Sequence, residues 1–237
     1  MDKEEIASEL KEIEKDLRDI YFQCMGGKYE EKSFNGIFLD HGIAKGTHKT
    51  FSGYVDSFNN NFNGPRRKLV LDSLVDSYKG AIIAFSGKGH NYPQRTIQIA
   101  KKIYTDERDA NHITKRLLQL VEKSRETPNK QLDKLLIAIK TNSRKLMSLA
   151  EEMKLFQRMI TIHFKHLSTD REIITNGGMD EDELRSFWKS EVKAGNNFAK
   201  DLLHLGTEAA DIVKSIYNYD RYAYSIFLEM KRIILSD

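Results

Sequence analysis

Arg158 and His163 are separated by four residues in LFQRMITIHFKH, residues 155–166. A histidine titrates near neutrality and can pass a proton either way, and an arginine grips phosphate, so the pair has the ingredients for acid–base work on a phosphodiester. Asp109-x2-His112 and Asp201-x2-His204 have the i, i+3 spacing with which helical bundles aim an acid and an imidazole at a metal, and His163 with His166 has it too. Here the acid is the shorter Asp, no second set of inward Glu accompanies it, and two ligands do not complete a site. Solvated helix faces account for these pairs, and we expect no metal and no cofactor. GAIIAFSGKGH (80–90) resembles a phosphate loop, but six residues instead of four separate Gly80 from Gly87, and no Ser or Thr follows Lys88. A helix C-cap at Gly87 and Gly89 explains the run without a nucleotide. No Gly-x-Ser-x-Gly elbow occurs, and the lone Cys24 falls on an apolar helix face, so nucleophilic catalysis has no visible basis.

Long helices must carry these residues. Steps of three and four from Leu132 pass through Leu135, Ile139, Asn142, Leu146, Leu149, Met153, Phe156, Ile160 and His163 to Leu167. Thr127 before Pro128 supplies an N-cap and a first-turn proline, so the pattern predicts a helix over 128–168, ended by the breaker STDREIITNGGMD. Acidic Asp180, Asp182 and Glu183 then open a second helix over 180–236, whose stepping runs from Leu184 through Glu191, Gly195 and Phe198 to Ile233. Gly206-Thr207 marks a place where that helix kinks or restarts. The two helices are expected to pair antiparallel along their stripes. The stepping puts His163 in the apolar seam and Arg158 on the opposite, solvated side. A polar residue in such a seam fixes register or partner number, and Asn142 is a second example.

The Arg158-x4-His163 spacing resembles the short signature of the HEPN superfamily, helical bundles that include ribonucleases using such an Arg and His near a dimer interface. The likeness covers six residues, and Met159 stands where that family commonly has a polar residue. What the resemblance implies is a ribonuclease in which His163 reaches RNA at an open interface.

Upstream the elements are shorter. Residues 1–25 form an N-terminal helix with Ile6, Leu10, Ile13, Leu17, Ile20 and Cys24 on one face, capped by Gly26 and Gly27. Residues 26–64 hold seven of the 14 glycines and the run NNNFNG, and are expected to be dominated by loop. Phe51, Tyr54, Phe58 and Phe62 have helical spacing within it, so a short helix is allowed there, with its aromatics in a core or stacked on bases. Residues 66–126 read as further short helices, one opened by Pro93 and one carrying Ile113, Leu117, Leu120 and Val121.

The chain has 237 residues, 31% of them charged, with only 3 prolines. That composition favours long helices over a β-sandwich and suffices for one sizeable core. The acidic start MDKEEIASELKEIEK lacks the basic and apolar regions of a secretory signal, and the most apolar run, AIIAF (81–85), is far too short to span a bilayer. With one cysteine, these features favour a cytoplasmic protein without a transmembrane segment.

The net charge of +3 hides an asymmetry. Residues 66–171 carry 22 Lys or Arg against 11 Asp or Glu, while 1–65 and 172–237 each carry 8 against 12. If Arg66, Arg67, Lys68, Lys101, Lys102, Lys115, Arg116, Lys140, Arg144 and Lys145 share a face, they form a site for nucleic acid or an anionic membrane surface. Otherwise the basic helices pack beside the acidic ones and neutralise them.

Together these features predict an all-α, elongated helical bundle, a single domain over 1–237 built on an antiparallel pair of long heptad-patterned helices. The function expected of it is non-enzymatic: a scaffold or adaptor that binds a protein partner or itself as a homo-oligomer. Tyr217, Tyr219, Tyr222 and Tyr224 are a candidate contact zone, since tyrosines suit interfaces. Nucleic-acid binding through the basic middle is the alternative, followed by the HEPN-type ribonuclease and an anionic-membrane binder.

Overall fold

A computed structural model describes residues 3–25, 37–86, 92–121 and 127–236. It is an all-α bundle: the described residues form six helices and no strand. In chain order these are α1 (Lys3–Met25), α2 (Ile37–Asn61), α3 (Arg67–Ser86), α4 (Tyr92–Val121), α5 (Thr127–Thr175) and α6 (Glu181–Ser236). They sort into two compact units. The first takes Met1–Leu39, Thr96–Leu149 and Ala209–Asp237, and the second takes Asp40–Arg95 and Ala150–Glu208.

Unit 1 holds α1, most of α4, the first part of α5 and the last part of α6. Its core includes Leu10, Ile13, Leu17 and Ile20 of α1, Ile103 and Ala110 of α4, Leu136 and Leu146 of α5, and Ile216 and Phe227 of α6, all nearly inaccessible to solvent. Neighbouring helices run antiparallel and are tied by polar pairs: Arg116 with Glu9 and Lys102 with Asp19 join α4 to α1. Asn111 Nδ2 donates to Asp133 at 3.2 Å between α4 and α5. Lys231 donates to Glu14 at 2.7 Å between α6 and α1.

Unit 2 holds α2, α3, the second part of α5 and the first part of α6. Its core is aromatic: Phe51, Phe58, Phe62 and Tyr78 are each 0–1% exposed. Phe51 meets Tyr78 edge to face at 4.9 Å, and Phe58 and Phe62 both meet Phe187 of α6. Phe156 of α5 packs on Phe198 of α6, and His163, further along α5, bonds Glu191, earlier on α6, so the two helices run antiparallel here. At Gly195, α6 lies close against α2, where a Cβ would lie 2.9 Å from Val55 Cγ2.

Two expected features take a different form. The glycine-rich stretch 26–64, expected to be dominated by loop, is helical over 37–61. Gly46 and Gly53 sit at open positions and cost the helix about 1 kcal/mol each, whereas Phe51, Val55 and Phe58 bury a full stripe. The glycines at 26, 27 and 36 lie outside the described residues. Second, α5 continues past 168 to Thr175, through STDREIIT. Its hydroxyls fold back onto the helix, Ser168 and Thr175 donating to the carbonyls of Phe164 and Arg171, and Arg171 pairs with Asp72 of α3 at 3.0 Å.

The break comes at Gly177, whose φ of +73° suits glycine. Gly178 N–H donates to Ile173 and Gly177 N–H to Ile174, a Schellman closure of α5. Asp180 then accepts from the N–H groups of Asp182 and Glu183 while Glu183 accepts from Asp180 N–H, a reciprocal capping box that starts α6. That helix continues without interruption through Gly206.

Buried positions on α5, including Leu132, Leu136, Ile139, Ser143, Leu146, Met153, Phe156, Ile160 and Leu167, fall at spacings of three and four. An amphipathic helix shows that spacing whether or not it supercoils. No helix among the described residues is long and apolar enough to cross a membrane.

Candidate functional site

The segment that drew attention in the sequence, 155–166 of α5, lies in unit 2 and has two different faces. Its inner face carries His163, whose Nε2 lies 2.8 Å from Glu191 Oε1 on α6. Tyr78 of α3 donates its phenolic proton to the same oxygen at 3.0 Å. Glu191 is 5% exposed, so its charge has left water and depends on these donors. The imidazole Nε2 and the phenol thus converge on one carboxyl oxygen. Burial, then the charge of Glu191 and the hydrogen bond to it, hold the Tyr78 phenol far above its ordinary range, and it stays protonated. The imidazole lies between Tyr78 and Phe198, with ring centroids at 5.1 and 5.2 Å.

Arg158 is exposed and lies on another side of α5. The structure therefore does not bring the two together: His163 faces a buried carboxylate, and Arg158 faces solvent. Glu191 engages Nε2, so acid–base work on an outside substrate would fall to Nδ1, without Arg158 beside it to hold a phosphate. Glu191 and Tyr78 were not singled out from sequence. Glu191 did carry a signal, as the charged position in an otherwise apolar stepping along α6. Tyr78, inside an apolar helix, carried none.

The outer face of the same segment is apolar. Leu155, Met159 and Ile162, at i, i+4 and i+7, are 58%, 49% and 56% exposed. Glu151 and Glu152 precede them and Lys165 and His166 follow, all exposed. Glu151 also pairs with Lys154 of its own helix at 2.8 Å. Elsewhere in unit 2, a cleft of about 430 Å³ opens between α2 and α3, lined by Phe51, Tyr54, Asp76 and the two glycines Gly46 and Gly80 among others.

The candidate basic residues divide between the units. Arg66 precedes α3 and Arg67 and Lys68 begin it in unit 2, where Arg67 donates to Phe62 O and lies over the Phe62 ring. The other seven belong to unit 1. Lys102 lies between Asp106 and Asp19; burial works against its charge, and these carboxylates outweigh burial and raise its pKa. Arg116 pairs with Glu9, and Lys115 lies 3.8 Å from Asp133. Arg144 donates to the Tyr104 hydroxyl, and Lys140 and Arg144 both lie over the Tyr104 ring. Lys101 and Lys145 are exposed. Several of these cations are thus paired with acids of α1, α4 and α5.

The acid–histidine pairs lie on exposed faces: Asp109 pairs with Arg108, His204 with Glu208, and His112 and Asp201 face solvent. His166 is exposed while His163 points inward. Among the described residues no group of three His, Cys, Asp or Glu is arranged to hold a metal ion. Gly80 is helical, and Gly87, Lys88 and Gly89 lie outside the described residues. Of the aromatics on α2, Phe51, Phe58 and Phe62 are core and Tyr54 is 41% exposed. At the tyrosine-rich end, Tyr222 is exposed, Tyr217 packs on Tyr21, and Tyr224 donates to Glu14.

Unit 1 buries acids that the sequence reading passed over. Asp220 is 2% exposed, with no hydrogen-bond partner at Oδ1 among the described residues, and burial pushes its carboxyl up to about 8. Cys24 is raised well above the usual thiol range by burial and by Asp220. Glu107 is fully buried with neither oxygen hydrogen-bonded; burial pushes it up to about 7 against the pull of Lys140, Lys115 and Arg144. Asp16 is pushed up to about 6 by burial, with Asp106, Asp109 and Asp19 adding to the rise.

The chain matches no family model, no curated protein and no solved structure, so any functional reading rests on this geometry.

Proposed function

We propose that this chain is a non-enzymatic interaction and assembly protein that engages a protein partner or itself through the outer face of α5 in unit 2. The observation that carries this reading is the exposed run Leu155, Met159 and Ile162. Three large apolar side chains at i, i+4 and i+7 on one helix face are the pattern by which a helix seats against another surface. A single, buried cysteine fits a reducing cytoplasm.

The double variant Leu155→Glu with Ile162→Glu tests this. Both side chains are exposed, so thermal stability should hold within about 0.5 kcal/mol. Association should weaken at least about tenfold, read as loss of a dimer in sedimentation or of a partner co-purified with the wild-type chain. If the variant keeps every association of the wild type, the reading is wrong.

A further inference from the structure

The outer face of α5 has an internal symmetry that names its partner. Glu151, Arg158 and Lys165 form one column along the helix, seven residues apart, and Glu152, Met159 and His166 form a second. Leu155 and Ile162, also seven apart, lie between the columns. All eight side chains are exposed. Residues seven apart on a helix stack on nearly the same side, so this is one strip about 22 Å long. Each outer column begins with an acid and ends with a base. The strip reverses onto itself about a point between Arg158 and Met159.

We propose that the occupant of this face is a second copy of the same chain, seated antiparallel about a twofold axis at Arg158 and Met159. The inference rests on the interaction reading above and adds the identity and orientation of the partner. In antiparallel packing each flank of a helix meets the same flank of its mate. Glu151 then lies beside Lys165 of the partner subunit, and Glu152 beside His166 of the partner subunit. Leu155 packs against Ile162 of the partner subunit, and Met159 meets its own mate on the axis. A parallel pairing sets acids against acids and bases against bases, which costs association free energy. The contact is isologous, so it closes at two copies and leaves no strip free to propagate. Arg158 meets Arg158 of the partner subunit, a like-charge contact at the rim. Its length puts the interface at the small end of specific contacts, and the dimer should be weak, in the micromolar range.

The test uses the full chain. Wild type should sediment as a dimer at concentrations on the order of 10⁻⁴ M. The pair Glu151→Lys with Glu152→Lys makes both ends of the strip basic, and Lys165→Glu with His166→Glu makes both ends acidic. Each protein alone should be monomeric, and an equimolar mixture should restore a dimer. Arg158→Gln should tighten the wild-type dimer by removing the like-charge contact.

Orientation is read in a Cys24→Ser background. Met159→Cys should oxidise to a linked dimer, and Leu155→Cys should link to Ile162→Cys in a mixture and not to itself. Circular dichroism melts confirm that the exposed-charge variants remain folded. A wild-type chain that stays monomeric overturns the inference, and so does a dimer indifferent to both charge reversals or one in which Leu155→Cys links to itself. If the wild-type chain is a monomer but loses a different protein partner on Leu155→Glu with Ile162→Glu, the interaction reading stands and only self-pairing fails.

Discussion

Replacing His163 with Ala would strand a carboxylate. Glu191 would keep Tyr78 as a donor but lose the shorter of its two hydrogen bonds, at a site almost closed to water. The expected loss is about 2–3 kcal/mol of folding stability, read from the urea midpoint. His163→Gln, which retains an N–H donor, should recover part of it. A catalytic role predicts the opposite: RNA cleavage lost and the midpoint unmoved. The divergence of Arg158 and His163 was legible in the sequence, because five steps of a 3.6-residue helix turn the two side chains about 140° apart. The partnership with Glu191 was not. Both residues stood in stepping patterns, yet which rung of α6 faces which rung of α5 depends on the turn at 176–180 and on the packing of Phe156 and Phe198.

Among the helices, α2 shows where composition misleads. Glycine count weighs backbone entropy, about 1 kcal/mol per residue, but leaves out what burial returns. The aromatic spacing of Phe51, Phe58 and Phe62 was the better guide, since each of these rings is fully enclosed. Helix ends were legible where the signal was chemical, as in the acidic start of α6. They were missed where Ser and Thr could fold back onto their own helix, as at the end of α5. The stepping along α6 placed Gly195 in its stripe but not against what, and the structure sets it beside Val55 of α2. Gly195→Ala would place a methyl group 2.9 and 3.2 Å from the two Val55 methyl carbons. The helix gains propensity from alanine but overpacks, and a net loss of about 1–2 kcal/mol in thermal unfolding is expected. The paired variant Gly195→Ala with Val55→Ala should recover most of it. A Gly195→Ala chain as stable as wild type would show that α2 yields freely.

Stability of the chain as a whole should fall as the solution becomes more alkaline. Asp220 has a folded-state value near 8 against an ordinary 3.8, so the folded protein holds a proton that the unfolded chain releases. Its contribution is complete below about pH 4 and is lost as pH rises through about 8. Glu107 and Asp16 act in the same direction, up to about 7 and 6. Asp220→Asn, which stays neutral, should flatten this decline and at about pH 8.5 leave the variant more stable than wild type by on the order of 2 kcal/mol. Urea melts across the range check it, and parallel curves for the two proteins would refute it. None of this was visible in the sequence beyond the all-α class, because Asp220 occurs in YNYDRY among residues that face outward as well as inward.

Neither compact unit is a continuous stretch of chain. Unit 2 is finished by residues up to Glu208, whereas unit 1 needs Ala209–Asp237 to close over α1. During synthesis, with the N-terminus emerging first, α1 meets α4 before any other helix of its unit, and its stripe of Leu10, Ile13, Leu17 and Ile20 is closed only when the end of α6 follows more than 180 residues later. The ribosome therefore delivers all the parts of unit 2 before those of unit 1. Until that closure the apolar face of α1 is a stretch of nascent chain on which a chaperone would act.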